Sequence, residues 1–183
     1  MSYYTHQTVV LTRDVVGVLI PAGTRVELPA GADATITQAL GGSYTVEVQG
    51  HLFRIDGKDA DALGFEATPE VVLAADASEE EVAAAVRRQL ETVYDPEIPI
   101  NIVELGLIYS SQLEPAADNG WNLRVVMTLT APGCGMGDVL VNDVKTKAQQ
   151  VPTIREVEVD LTFDPPWTQD MMSDSAKLQA GFL

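Results

Sequence analysis

Cys134 is the single cysteine of this 183-residue chain, and it stands in the segment Thr130-Ala-Pro-Gly-Cys-Gly-Met-Gly-Asp138. An apolar alternating run, 123–129, precedes it. After it, Leu140, Val144 and Ala148 recur at the spacing of one helix face. The pattern predicts a strand, a tight Gly/Pro turn carrying the thiol, and then a helix. A thiol just before a helix start faces unpaired backbone N–H groups and the positive end of the macrodipole. Both favour thiolate, the nucleophilic and metal-binding form. Gly133, Gly135 and Gly137 permit close backbone approach, which suits an anion- or sulfide-accepting nest as well as a plain tight connection. Thr130 could donate to a nearby sulfur or cap the turn.

Asp95-Pro-Glu-Ile-Pro99 is the second dense motif. Two prolines fix two φ angles and bias Asp95 and Ile98 towards extended geometry, so the loop is stiff. Asp95 could do no more than initiate a turn through its side chain. Glu97 is harder to dismiss, because a turn does not require it. Glu104 follows among apolar residues at the start of an expected strand, where it could serve the site or face solvent. His6 and His51 lie in no ligand spacing, and no Ser-His-Asp order, P-loop or dinucleotide fingerprint is present. Asp56, Asp59 and Asp61 only superficially resemble a calcium loop. An EF-hand needs glycine at its sixth position and glutamate at its twelfth, where this chain has Asp61 and Ala67.

Two segments must position these groups. Residues 7–66 read as all-β: short apolar runs separated by Pro21-Ala-Gly23, Pro29-Ala-Gly31, Gly41-Gly42 and Gly50-His51 predict a small SH3-like barrel. Residues 67–77 lack a period and read as a linker. At Ser78 the rhythm changes. Ser78 and Glu81 form a capping box, and Val82, Val86, Leu90 and Val93 then line one face until Asp95-Pro96 ends the helix. Strands over about 102–113 and 121–130, a helix over 138–150 and a strand over 154–163 follow. The fold class is therefore α+β: a barrel-like domain over 1–66, the linker, and an αββαβ sandwich over 78–183 with helices on one face of a small mixed sheet. In that topology Glu97 and Cys134 share one sheet edge, within about 10 Å, roughly two interstrand spacings. Trp167 to Leu183 forms an apolar tail suited to core packing or partner contact.

Composition bounds the rest. With 11 Lys+Arg against 27 Asp+Glu the formal charge is −16, which argues against phosphate-backbone binding and hence against a nucleic-acid partner. No apolar run reaches membrane-spanning length, no secretory signal is recognisable, and one cysteine excludes an internal disulfide, so a cytoplasmic protein is expected.

The motifs Asp95-Pro-Glu-Ile-Pro99, Glu104-Leu-Gly-Leu-Ile108, Thr130-Ala-Pro-Gly-Cys134 and Asp164-Pro-Pro-Trp-Thr168, in this order, resemble the metal–sulfur cluster biosynthesis domain family. That family includes PaaD-like proteins and the cytosolic iron–sulfur assembly adaptor. The resemblance covers about residues 78–180. The preceding segment, with Gln38-Ala-Leu-Gly-Gly42 and the run 54–63, is similar to the N-terminal extension of a member tied to bacterial iron–sulfur cluster assembly. The resemblance implies a non-enzymatic maturation factor that acts with the iron–sulfur assembly machinery and client apo-proteins. It implies Cys134 and Glu97 as functional positions, with Asp95 and Thr130 as neighbours. Since clusters usually take four thiolates, a labile cluster or iron site in a homodimer, held by Cys134 with Glu97, is expected. Two other readings stay open. One is a thiol enzyme with Cys134 as nucleophile, for which no histidine is placed as base. The other is a pure interaction module in which the cysteine is incidental.

Overall fold

Turn residues cut the first part of the chain into short strands, and alternation decides which side of each strand is buried. The computed structural model describes residues 6–95, 98–131 and 137–182. It divides into two compact units, Met1–Glu70 and Val71–Leu183. In the first, β1 (Gln7–Val10), β2 (Val15–Leu19), β3 (Arg25–Leu28), β4 (Asp33–Leu40), β5 (Ser43–Val48) and β6 (His51–Asp56) form one antiparallel sheet in the order β1-β4-β5-β6-β2-β3. Val46 stands opposite Phe53 and Tyr44 opposite Ile55, so one face of this pair enters a core completed by Leu11, Val15, Leu28 and Ile36.

The SH3-like closed barrel is not formed. β1 pairs only with β4 and β3 only with β2, leaving both as edges. β3 has four residues and stops at Pro29, which has no N–H to extend a ladder. The polar stretch after β6 is a 3-10 turn, Gly57–Leu63. Its carboxylates do not gather around a cation site. Arg13 donates to both oxygens of Asp61, at 2.7 and 2.6 Å, and to Asp59 at 2.9 Å.

In the second unit the capping box forms. Ser78 Oγ accepts from the Glu81 amide, and the Glu81 carboxylate accepts from the Ser78 amide at 2.8 Å. Helix α1 (Glu79–Leu90) buries Val82, Ala85, Val86 and Leu90. β7 (Ile108–Pro115) runs antiparallel to β8 (Trp121–Met127), and β8 is parallel to β9 (Ile154–Leu161), with α2 (Gly137–Ala148) as the crossover. Parallel neighbours need such a crossover, so the sheet is mixed. Leu123, Val125 and Met127 face a core shared with Val82, Val86 and Leu90 of α1 and Leu140, Val144 and Ala148 of α2. On the other face Asn122 and Arg124 of β8 stand opposite Glu156 and Glu158 of β9, and Arg124 reaches Asp160 at 2.8 Å.

One boundary departs from expectation in a way that matters. The strand expected from about 102 starts only at Ile108. Asn101 is the cause: its side-chain oxygen accepts from the amides of Val103 (3.1 Å) and Glu104 (2.9 Å), and its carbonyl accepts from Leu105 (3.0 Å). Gly106, at φ 71°, then reverses the chain. Glu104 therefore sits in a tight turn rather than in a strand. β8 ends at Met127 and β9 at Leu161, both earlier than expected. A short helix, α3 (Asp174–Gln179), lies in the tail.

Candidate functional site

The two motif loops grow out of the same turn. On one side, the Ile102 amide donates to Val93 (2.9 Å) and the Asp95 amide to Ile100 (3.1 Å), tying the 93–102 loop into a closed arch. Asp95, only 5% exposed, accepts the Ile98 amide on Oδ1 at 2.9 Å, so its side chain folds the start of the arch as well as lying within it. On the other side, the Thr128 amide donates to Leu107 at 2.9 Å, which anchors the exit of β8 to the end of the turn. Ile102, Leu105 and Leu107 are fully buried, so the turn is rooted in the core and its polar residues are held from beneath.

Glu104 is half-buried on this turn. Its Oε2 accepts a short hydrogen bond from the Ser173 hydroxyl, and its backbone carbonyl accepts from the Ser173 amide at 2.9 Å. Thr130 is half-buried just beyond β8, and no described residue is bonded to its hydroxyl. Cys134 and Glu97 lie outside the described residues, and so does the expected Glu97–Cys134 approach. The two ends of the thiol segment are nevertheless visible. A Cβ on Gly137 would stand 2.9 Å from Leu129 Cδ1, so the start of α2 rests directly on the residue before Thr130. The segment leaves and re-enters the fold at one place. Among the described residues Asp95, Glu104 and Thr130 thus belong to three chain segments joined at one end of the sheet. No group of three or more metal-ligating side chains occurs among the described residues.

Comparison with known proteins addresses this region. Residues 83–161 match the family model described as iron–sulfur cluster assembly protein. An Fe–S protein maturation auxiliary factor of Porphyromonas gingivalis is 49% identical over 96 residues, which is 52% of this chain and 88% of that one. The chain belongs to the iron–sulfur cluster assembly protein family. The Fe–S protein maturation auxiliary factor SufT of Staphylococcus aureus is 45% identical over 89 residues, 49% of this chain and 97% of the relative. Among solved structures, the DUF59 domain of unknown function from Bacillus anthracis superposes with a TM-score of 0.50 at 37% identity, over 57% of this chain and 95% of that domain. No helix among the described residues of this family member is long and apolar enough to cross a membrane.

Several residues around the turn escaped sequence reasoning. Asn101 carried a weak signal, as a turn former four residues before a buried leucine. Thr128 carried none: it is fully buried, and its hydroxyl has no hydrogen-bond partner among the described residues. Such an orphan costs about 1–3 kcal/mol, and it lies two residues before Thr130. Ser173 was readable as the N-cap of a short helix, but not as the partner of Glu104. Trp167 was read as core packing or partner contact. Its indole Nε1 donates to the Leu105 carbonyl at 2.8 Å, which fastens the tail to the same turn.

Proposed function

We propose that this chain is an accessory factor in iron–sulfur cluster maturation, a carrier or adaptor that works through Cys134 on client apo-proteins in the cytoplasm. Asp95, Glu97, Glu104 and Thr130 support the thiol. The observation that carries the reading is the convergence of three segments on the 100–107 turn: the Asp95 arch, Glu104 itself and the exit of β8 towards Thr130. The names of the relatives, maturation auxiliary factors, support the same conclusion.

The cluster is cargo, and its handover is ligand exchange: a client thiolate replaces a carrier ligand on iron, with no net oxidation or reduction. One cysteine per chain leaves the shell short of the usual four thiolates. A homodimer sharing the cluster, with Cys134 from each chain, or carboxylates such as Glu97, would complete it. A labile site follows from so few sulfur ligands. The test is anaerobic reconstitution with iron and sulfide, then iron and sulfide analysis and transfer to an apo-client, for the wild type and Cys134→Ser. Loss of bound iron and of client activity in Cys134→Ser is the expected result. Equal, stable cluster content in both proteins would sink the ligand role.

A further inference from the structure

We infer that Ser173 is a positioning residue for the cargo site, acting through Glu104. This rests on the carrier reading above. The Ser173 hydroxyl does two things at once. It accepts the Ala176 amide at 3.1 Å, capping α3, and it donates to Glu104 Oε2. A hydroxyl can do both because it carries one proton and two lone pairs. Glu104 has no other side-chain partner among the described residues, so one carboxylate oxygen is held and the other is open. Metal-ligating carboxylates are themselves held by outer-shell hydrogen bonds, and the Ser173 hydroxyl is placed to be such a donor. The other oxygen of Glu104 is then the one left to take iron of the cargo.

Anchoring on either side shows that Ser173 is itself fixed. Met172 and Ala176 are buried in the core of this unit, at 3% and 1% exposure. Trp167 holds Leu105, the residue after Glu104, and the Ser173 amide holds the Glu104 carbonyl. Backbone and side chain of Glu104 are both set by a segment some seventy residues further along.

Three substitutions at one position separate capping from positioning. Ser173→Thr keeps the cap and the donor. Ser173→Asp keeps a good cap but cannot donate to Glu104 and repels it. Ser173→Ala loses both. In the full chain, ferrous iron binding under anaerobic conditions and maturation of an apo-client are measured beside the thermal midpoint. Ser173→Thr should match the wild type, while Ser173→Asp should have a midpoint lowered by the lost hydrogen bond and the added repulsion. Assayed well below that midpoint, where it is folded, Ser173→Asp should still lose about tenfold or more in iron affinity and client activity. A Ser173→Asp protein that binds iron and matures the client like the wild type would overturn the inference. Should Ser173→Asp not fold, Glu104→Gln, which leaves the α3 cap intact, carries the test, and full activity in it is equally fatal. If Cys134→Ser also retains full activity, it is the carrier reading that has failed.

Discussion

Replacing Gly106 by alanine should detach the tail from the turn that carries Glu104. Gly106 has φ 71°, and a Cβ built on it overlaps the carbonyl of Met171, a backbone group that cannot swing aside as a side-chain tip could. A non-glycine residue in the left-handed region costs about 1–2 kcal/mol by itself. Relieving the overlap means moving residues 167–173 away, which breaks the Trp167–Leu105 and Ser173–Glu104 hydrogen bonds. Each contributes about 0.5–1.5 kcal/mol net. Together these give a loss of about 2–5 kcal/mol, a large share of the 5–15 kcal/mol that holds a typical domain. Urea unfolding followed by tryptophan fluorescence reads this unit directly, because both tryptophans, Trp121 and Trp167, lie in it. Gly181→Ala is the control: φ is 78° there, but nothing lies within 4 Å of the added Cβ, so only the backbone cost of about 1–2 kcal/mol should appear. Equal losses in the two variants would refute the reasoning, since the Met171 overlap would then contribute nothing.

Two further outcomes are expected. Ser78→Ala removes the capping box of α1 and should cost about 0.5–2 kcal/mol in the same urea experiment; no change would mean that α1 is held by packing alone. In the first unit, the Arg13 guanidinium hydrogen-bonded to Asp61 holds that carboxyl below its ordinary value of 3.8. An acid depressed in the fold stabilises it above the unfolded value, and the contribution disappears as pH falls through the lower folded value. An NMR titration should show Asp61 protonating below 3.8, and Arg13→Gln should return it towards that value; an unshifted midpoint in both proteins would rule out the pair as the cause.

Local signals account for what was legible in the sequence. α1 was readable because its cap and its buried face are written within one helix length, although it ends at Leu90 instead of running through Val93 to Asp95-Pro96. The six strands of the first unit were readable because proline and glycine punctuate them, whereas the openness of the sheet was not, since β1 and β3 say nothing locally about pairing with each other. Val103-Glu-Leu-Gly-Leu107 alternates as a strand should, and the turn won because Asn101 offers its side chain and carbonyl to the following amides. For the site, Asp95, Glu104 and Thr130 were identified from their motifs, and their segments meet at one end of the sheet. Thr128 gave no warning, and the bonds of Ser173 to Glu104 and of Trp167 to Leu105 were not foreseen, because they are contacts or burial set by distant parts of the chain.

The link between Glu104 and Ser173 also sets an order in time. The partners are 69 residues apart, and Trp167 and Leu105 are 62 apart. A hairpin such as β7–β8 closes in about 1–10 μs once its residues are free. A ribosome adding about 5–20 residues per second needs about 3–14 seconds to travel from Glu104 to Ser173. Late in that interval, once β8 and Cys134 have been made, the nascent chain can own a hairpin and a cysteine while its acidic turn has no fastening. The carboxylate acquires its fastening from a segment made well after it, so a chain whose synthesis has not passed Ser173 carries Glu104 without that restraint.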